Sequence, residues 1–416
     1  MRSRWMAALG ALASLSLAVT ACGGGEDKKG GGGAGGGGAV QGDTLTVYSS
    51  LPLQGASRAQ SEAVNNGAKL ALKQVDNKVG DFNVKYTELD DSTAQAGKWD
   101  PGATSQNARK ALQDKTTIAV LGEFNSGASA ISMPIYNKAG ILQVSPSNTA
   151  VGLTSADPAE PGTPTKYYPT QKRHYARVVP RDSVQGPALV QAMSDEGCKG
   201  VDILNDKEVY GEGLAIQVEN AAKEQGLEVG GNEGIDIKAP NYRSQAGKLK
   251  SDCFFFGGIT DSNAVQVYKD VASAKPDVKL FGGDGVCESA IAEGLPADIA
   301  PKFLCTAPIL PPEEQTEEGK KFFKDYEAEY DEKNPDPYAI YGYEAMDLIL
   351  DSIKNAGAKG NDRQAVIDQV FQSKERDSVL GTYDIDKNGD TTLTTEGLFK
   401  IKGKEIEVVK TIEAEA

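Results

Sequence analysis

Small polar residues, most of them with hydroxyl groups, follow two apolar runs of the chain, each at the point where a predicted strand ends. Ser126 comes after the first run and just before a predicted helix, and Ser147, Asn148 and Thr149 come after the second run. Backbone N–H groups at a helix start, helped by hydroxyls, bind a carboxylate well. Serine and threonine also favour helix starts simply as caps, which use the same N–H groups. The pattern therefore predicts a carboxylate-binding edge, with ordinary helix capping as the alternative.

Residues with catalytic or metal-binding chemistry are few. The single histidine, His174, lies in a stretch rich in Pro, Thr and Tyr at 154–174, where we expect it in a loop or at the surface. One histidine cannot supply a multi-histidine metal site, and no nucleophile motif accompanies it. The Asp-rich run at 384–390 resembles half of an EF-hand loop, but position 12 is Thr395 rather than glutamate, so we expect a hairpin turn. The sequence predicts no catalytic residue, no metal and no cofactor.

Short apolar strands alternate with amphipathic helices from residue 44 onward. Strands are predicted at 45–48, 82–89, 118–121, 141–144 and 175–179, with helices at 60–75, 104–113 and 128–138. After Pro180 the alternation starts again, with strands at 201–204, 254–256, 278–281 and 303–305 and helices at 184–194, 212–224, 241–249 and 262–271. Long helices follow at 314–330 and 338–354, and the tail at 381–409 is predicted to form hairpin strands around 386–390. This alternation predicts an α/β protein with parallel sheets that carry helices on both faces. Its two α/β units are either successive domains or two lobes that the chain crosses several times.

The N-terminal residues have the composition of a targeting segment followed by a tether. Arg2 and Arg4 precede a short apolar run, as in a secretory signal peptide. The run ends in VTAC, which resembles the bacterial lipobox and predicts that residues 1–21 are removed and that Cys22 is lipidated. An Ala-rich cleavage site with an incidental cysteine is the alternative. Residues 22–42 are mostly glycine and predict a flexible linker to an extracytoplasmic protein that is anchored to the bacterial cell membrane through Cys22 alone.

The charge balance restricts the partners of the protein. The chain has 44 Lys and Arg residues against 59 Asp and Glu residues, for a net charge of −15. An excess of negative charge argues against nucleic acid and against adhesion to anionic lipid. The charge balance is typical of a soluble extracytoplasmic protein.

Four glycine-bounded segments carry a resemblance to a known family. They are LPLQG at 51–55, GEFNSGASAISMPIYNKAGILQVSPSNTA at 122–150, DKEVYGEG at 206–213 and FGGDG at 281–285. In this order and spacing they resemble the branched-chain amino-acid binding proteins of ABC importers, which have the type I periplasmic-binding fold. The resemblance runs from about residue 44 to the C-terminus.

The resemblance implies two lobes joined by three crossovers, with the ligand held in the cleft between them. The N-terminal lobe is expected to comprise residues 43–180 plus 310–395. The C-terminal lobe is expected to comprise residues 181–309 plus 396–416.

The resemblance also implies which residues touch an amino-acid ligand. Positions that match Ser126, Ser147 and Thr149 hold the α-carboxylate and share the ammonium through a backbone oxygen, and Asn148 lies between them. Asp284 matches the acidic position that binds the ammonium, although the family usually has glutamate there. A solvated loop aspartate is the alternative.

Three tyrosines complete the implied ligand-binding set. Tyr210 matches an aromatic residue that covers the ligand, and Tyr338 and Tyr341 lie at the start of a helix that lines the side-chain pocket. The alternatives are helix-start packing for Tyr210 and core positions for the other two tyrosines.

The chain also departs from the family pattern near the cleft. Gln60 and Ile259 stand near positions where members often have an aromatic residue and a tyrosine, and Asn125 stands where some have cysteine. Arg58 and Glu123 are also near the cleft loops. These departures leave the side-chain specificity open, and Arg58 is either an exposed residue or a partner for a second ligand carboxylate.

Four cysteines remain beyond Cys22, and an even set outside the cytoplasm favours disulfides. In the strand order 2-1-3-4-5 that the implied fold brings, the first and third strands of the second lobe are neighbours. Because Cys198 and Cys253 begin those strands, the expected pairs are Cys198–Cys253 and Cys287–Cys305.

Taken with the lipobox, the resemblance implies a lipid-anchored solute-binding receptor that performs no catalysis. It would capture a small amino acid of the branched-chain kind as a monomer and deliver it to an ABC permease with a cytoplasmic ATPase. The alternatives are the same fold binding an amide, urea or aromatic acid, a sensory ectodomain, and a lipid-anchored hydrolase. The hydrolase is disfavoured because the chain has no GxSxG elbow.

Overall fold

The first sheet is built from residues between 44 and 177. The computed structural model describes residues 38–156, 161–311 and 313–414. In this part of the chain, strands β1 to β8 span Thr44–Leu51, Lys78–Val79, Phe82–Asp90, Ser92–Thr93, Lys98–Trp99, Thr117–Gly122, Leu142–Ser145 and Tyr175–Arg177. Helices α1 to α3 span Arg58–Gln74, Pro101–Gln113 and Ser126–Ala139. The sheet order is β2-β3-β1-β6-β7-β8, with every pairing parallel except that of β2 with β3.

The second sheet takes strands from two distant parts of the chain. Strands β9 to β13 span Gly200–Asn205, Glu228–Gly234, Cys253–Gly257, Lys279–Gly282 and Phe303–Ala307, and helices α4 to α8 span Asp182–Asp195, Val209–Gln225, Arg243–Ala246, Ala264–Ala274 and Ser289–Gly294. Next come α9 to α11 at Glu317–Tyr330, Tyr338–Asn355 and Arg363–Val370, and β14 to β17 at Arg376–Ser378, Gly381–Tyr383, Thr395–Lys402 and Glu405–Glu413. The sheet order is β10-β9-β11-β12-β13-β16-β17. Strand β16 pairs antiparallel with both of its neighbours, β13 and β17.

The central strands of both sheets consist of residues that are buried on both faces. Every residue of β6 and β9 is buried, as expected for parallel strands covered by helices on two sides. Residues with defined capping roles lie at the starts and ends of the neighbouring helices. Asp100 caps α2 by accepting the N–H groups of Gly102 and Ala103 at 2.8 and 2.9 Å, and Gly140 ends α3 in the left-handed conformation. The predicted two-sheet α/β fold is confirmed.

The chain crosses between the two sheets three times. It leaves the first sheet after β8, returns after β13, and crosses again before β16. Helices α9 to α11 belong to the hydrophobic core of the first sheet. We call the first sheet with its packed helices the first lobe, and the second sheet with its packed helices the second lobe.

Two glycines let α10 lie unusually close to α1. A Cβ at Gly67 would come within 2.0 Å of the Ala339 carbonyl oxygen. A Cβ at Gly342 would come within 2.2 Å of the Val64 carbonyl oxygen. This close approach fixes the start of α10, which carries Tyr338, against the middle of α1.

The structure corrects several predicted elements. Strand β10 was not predicted, because its sequence EVGGNEG is polar and its residues are largely exposed at the sheet edge. Helices α8 and α11 were also not predicted, and α6 spans only Arg243–Ala246 instead of 241–249. The long hairpin of the tail turns between β16 and β17, not at 386–390. The 386–390 segment is a small loop closed by one bridge between Ile385 and Thr391.

Two disulfides stabilise the second lobe. Cys198 pairs with Cys253 across neighbouring strand starts, with Cα atoms 5.9 Å apart. Cys287 pairs with Cys305, with Cα atoms 5.5 Å apart. Both pairings are those predicted.

His174 lies in the loop before β8, which is one of the two places predicted for it, and it is buried there rather than at the surface. Its Nδ1 is 2.9 Å from the Asn137 side-chain nitrogen, and burial lowers the pKa of His174 to about 3. In the described part of the chain, no cluster of His, Cys, Asp or Glu is suited to a metal ion. None of the helices described has both the length and the apolar character needed to cross a bilayer.

Candidate functional site

A cavity lies between the two lobes at the carboxyl ends of their parallel strands, which is where open α/β sheets bind ligands. The closed lobes leave about 30 Å³ of free space in this cavity. The residues that line it are Ser57, Gln60, Phe124, Asn125, Ser126, Ser147 and Tyr338 from the first lobe and Tyr210, Ile259, Asp284 and Gly285 from the second. The cavity therefore brings together five of the predicted ligand residues.

The first lobe presents the N-terminus of α3 to the cavity. Asn125 is the N-cap residue of this helix, and its side chain makes no capping hydrogen bond. Ser147 instead donates its hydroxyl to the Phe124 carbonyl at 2.8 Å, and the Ser126 hydroxyl accepts the Ala150 N–H at 3.4 Å. The first-turn N–H groups of α3 thus lack a side-chain cap and carry the partial positive charge of the helix end.

Asp284 bridges the two lobes at the opposite side of the cavity. It begins a short 3₁₀ turn after β12 and is 5% exposed. Its Oδ1 accepts the Tyr210 hydroxyl at 2.6 Å, and its Oδ2 accepts the Tyr338 hydroxyl at 2.8 Å. The Tyr210 hydroxyl in turn accepts the Gly285 N–H at 2.9 Å. Burial raises the pKa of Asp284, while the tyrosine hydroxyls partly oppose that rise.

Two further buried carboxyls interact electrostatically with Asp284. Burial, and then the charge of Asp284, raises the pKa of Asp182 to about 8. The same two causes raise the pKa of Glu396 well above its usual range. Among the described residues, no basic side chain lines the cavity. This concentration of acidic groups suits a cationic group of a ligand.

Asn148, Thr149 and Tyr341 lie outside the lining of this cavity. The Asn148 amide donates to the Phe124 carbonyl at 2.8 Å and thereby holds the loop after β6. Thr149 is buried, and its carbonyl accepts the first N–H of α4 at 2.8 Å. Tyr341 donates its hydroxyl to the Pro308 carbonyl, where the chain leaves β13 for α9. These contacts hold the backbone segments next to the cavity in place.

Contacts across the cleft hold the lobes together beside the cavity. Lys98 of the first lobe forms an ion pair with Glu208 of the second at 2.9 Å. Both carboxylate oxygens of Asp261 lie 3.0 Å from the Ala56 N–H, which donates to them. Together with the Tyr338–Asp284 hydrogen bond, these contacts show the lobes in a closed arrangement.

Comparison with known protein families agrees with this architecture. The family model described as periplasmic binding protein matches residues 46–404. The chain belongs to the periplasmic binding protein family. The predicted resemblance is thereby confirmed, and proteins of this family act outside the cytoplasm.

Several relatives of this periplasmic binding protein are known. The leucine-, isoleucine-, valine-, threonine-, and alanine-binding protein of Pseudomonas aeruginosa is 25% identical over 85% of this chain and 88% of its own. A Leu/Ile/Val-binding protein homolog of Brucella abortus is 25% identical over 84% of this chain and 88% of its own.

Solved structures have the same fold. The leucine-binding protein LivK of Thermotoga maritima matches with a TM-score of 0.76 at 21% identity, over 89% of this chain and 99% of its own. A solute-binding protein of R. palustris in complex with benzoate matches with a TM-score of 0.72 at 20% identity, over 90% of this chain and 98% of its own.

The cavity of this periplasmic binding protein also contains residues that sequence reasoning did not place there. Ser57 and Phe124 belonged to no predicted ligand set, and Gln60, Asn125 and Ile259 were noted only as departures. Ser57 follows the glycine-bounded segment at 51–55, and Phe124 and Asn125 lie within the one at 122–150. Gln60 and Ile259 lie outside these segments.

Arg58 is not part of the cavity lining. It forms an ion pair with Glu62 at 2.7 Å, and the two side chains are 63% and 50% exposed. The structure therefore offers no support for a second ligand carboxylate at Arg58.

Asp91 and Glu123 form a buried acid pair at the strand ends next to the cavity loops. Each follows a strand of the first sheet, β3 and β6, and each is fully buried. Burial raises the pKa of Glu123 to about 7, and burial together with the charge of Glu123 raises the pKa of Asp91 well above its usual range. The pair therefore retains a proton that the unfolded chain loses at neutral pH.

We expect the Glu123→Gln variant to gain stability relative to the wild type as the pH rises. The raised pKa lets the folded wild type bind a proton between about pH 4.5 and 7 that the unfolded chain has released, so its free energy of unfolding falls across that window. The variant lacks this titration, so its relative gain from pH 5 to pH 8 should be about 2 kcal/mol. Urea unfolding at both pH values measures the difference. The exposed Glu318→Gln variant is the control and should keep the pH dependence of the wild type. If Glu123→Gln also keeps it, Glu123 does not have the raised pKa described above.

Proposed function

We propose that the protein is the solute-binding component of an ABC importer and captures a small, uncharged α-amino acid, the branched aliphatic ones included. It closes its lobes on the amino acid, delivers it to a membrane permease with a cytoplasmic ATPase, acts as a monomer and performs no catalysis. One observation carries this proposal: a buried carboxyl, Asp284, and an uncapped helix N-terminus at Ser126 line the same small cavity. The names of the relatives from P. aeruginosa and B. abortus support it.

The two ends of the cavity match the two charges of an amino acid. Both the α-carboxylate and the ammonium lose water when the lobes close, so each needs a partner. The N–H groups at the start of α3, with Ser126 and Ser147, suit the carboxylate. Asp284 suits the ammonium, because its two oxygens offer about four acceptor positions, of which two hold tyrosine hydroxyls.

A panel of ligands tests this function. A ligand that binds only the folded protein raises its unfolding midpoint in proportion to the logarithm of its concentration. Thermal unfolding with neutral amino acids, amides and aromatic acids should show a concentration-dependent rise for at least one amino acid. No rise with any amino acid would contradict the proposal.

An aromatic acid or an amide is the second candidate ligand. The observation that favours it is that Asp284 already has a hydroxyl partner on each oxygen, next to the aromatic rings of Phe124, Tyr210 and Tyr338. The benzoate complex of the R. palustris relative has the same fold. A rise of the midpoint with benzoate or an amide, but with no amino acid, would establish this candidate instead.

Two expectations about the whole chain accompany this function. We propose that residues 43–180 plus 310–395 and residues 181–309 plus 396–416 move as the two lobes, which the membership of the two sheets supports. We also propose that Cys22, which lies outside the described residues along with the signal peptide and most of the linker, carries the lipid anchor.

We expect Cys22→Ala to move the protein from the membrane fraction to the soluble fraction of the cell. The substitution removes the thiol that would be acylated, and acyl chains would be the anchor. Immunoblots of the two fractions measure the change, with Gly23→Ala as the matched control. A Cys22→Ala protein that stays in the membrane fraction would overturn the anchor.

A further inference from the structure

Three neutral polar side chains of the first lobe line the cavity at the start of α1 and of α3. Gln60 is 5% exposed and Ser57 is 6% exposed, and both lie at the start of α1. Asn125 lies just before α3. All three line the cavity that holds Asp284 and Ser126.

Polar atoms of these side chains are without hydrogen bonds in the part of the chain that the structure describes. Among the described residues, neither the Gln60 amide nor the Ser57 hydroxyl forms a hydrogen bond, and Ser57 does not cap α1. The Asn125 Oδ1 atom is buried and also has no hydrogen-bond partner. Other polar groups of the lining differ, because Ser147 and Asp284 are hydrogen-bonded to the protein.

Buried polar groups in native proteins are almost always hydrogen-bonded to protein or to water. The Asn125 oxygen is fully buried, whereas the polar atoms of Gln60 and Ser57 face the cavity, so a ligand that fills the cavity has to supply their partners. The closed lobes leave Gln60 little access to bulk water. An aliphatic ligand side chain placed against it would desolvate the amide without replacing its hydrogen bonds. A ligand hydroxyl or carboxamide would replace them.

The rest of the lining sets the charge of the matching ligand group. Ile259 and Gly285 of the second lobe are apolar, and Arg58 is paired outside the cavity. Asp284 is the one ionisable carboxyl among the residues that line the cavity, and the proposed function assigns it to the ammonium. The group that faces Gln60 should therefore be neutral and able to form hydrogen bonds.

We propose that Gln60 is a specificity-determining residue, which makes the protein select α-amino acids with a neutral hydroxyl or carboxamide side chain over aliphatic ones of the same size. This inference rests on the proposed function and narrows its ligand class. Threonine against valine and asparagine against leucine are the matched ligand pairs, because each pair differs in hydrogen bonding more than in volume. A site built to form hydrogen bonds discriminates strongly against an analogue that lacks the group.

Titration calorimetry of the four amino acids on the purified full chain tests the inference. We expect at least one polar ligand to bind at least tenfold more tightly than its aliphatic partner. In Gln60→Leu, which is close in volume, that ratio should fall at least tenfold. The same substitution at the exposed far end of the helix, Gln74→Leu, should leave the ratio unchanged.

The outcomes separate this inference from the proposed function. Valine and leucine binding as tightly as threonine and asparagine would overturn the selectivity and leave the amino-acid function intact. A ratio that survives in Gln60→Leu, with the variant folded by circular dichroism, would overturn the role of Gln60. No binding of any of the four would contradict the proposed function and this inference with it.

Discussion

Replacing Asp284 by asparagine is expected to weaken amino-acid binding at least a hundredfold. The substitution keeps the size of the side chain and one oxygen acceptor, but it removes the charge that pairs with the ligand ammonium. Asp284 is 5% exposed, so the ammonium would lose its counter-charge in a site with little access to water. Removing one partner of a buried charge pair typically costs about 3 to 5 kcal/mol, which corresponds to more than a hundredfold in Kd.

The stability of this variant distinguishes lost binding from lost structure. Asp182 and Glu396 repel the charge of Asp284, so its removal should leave the unfolding midpoint of the free protein equal or higher. Titration calorimetry gives the Kd, and Asp298→Asn on the exposed surface of the same lobe is the matched control. An affinity within threefold of the wild type would show that Asp284 does not bind the ammonium.

Replacing Arg177 by methionine is expected to lower the free energy of unfolding by about 3 to 5 kcal/mol. Arg177 is fully buried and forms an ion pair with Asp390 at 2.7 Å. It also donates to the carbonyls of Asn148 and Ala150 at 2.9 and 3.0 Å and to the Thr154 hydroxyl. The variant leaves these acceptors without their donor and leaves the buried Asp390 carboxylate with Arg181 alone, at 3.3 Å. Each lost hydrogen bond of a buried group destabilises the folded state.

The network around Arg177 also positions the cavity. Its acceptors at 148 and 150 flank the loop that follows Ser147, so the variant should bind ligand more weakly as well. Urea unfolding measures the loss, and exposed Arg243→Met is a control. The double variant Arg177→Met, Asp390→Leu should recover part of the stability, because it removes the buried carboxylate that Arg177 no longer pairs with. A loss below about 1 kcal/mol in Arg177→Met would contradict this account.

The elements that the sequence predicted well are those whose burial is complete. Strands β6 and β9 are runs of buried residues, so their apolar composition marks them directly. Strand β10 lies at a sheet edge with polar residues and three glycines, and its strand conformation depends on pairing with β9. Arg177 and Asp390 are separated by 213 positions, and no local pattern in the sequence connects them.

In the candidate site, too, some residues could be predicted from the local sequence and others could not. The resemblance implied Asp284 and Ser147 as ligand residues, and both lie in loops that follow strands, which strand order brings together at one edge. Thr149 is only two residues beyond Ser147, but its side chain lies outside the cavity because the loop turns toward α4. Gln60 has no motif, because glutamine near a helix start is common, and its unpaired state is visible only in the folded chain.

The central claim is that Asp284 and the start of α3 hold the two charges of one amino acid, and a crystal structure of the complex tests it most directly. The protein would be crystallised with the amino acid that raises its unfolding midpoint most. The account predicts the ligand nitrogen within hydrogen-bond distance of an Asp284 oxygen, and the ligand carboxylate on the N–H groups beside Ser126. A ligand whose nitrogen makes no contact with Asp284, or whose carboxylate lies away from α3, would contradict it.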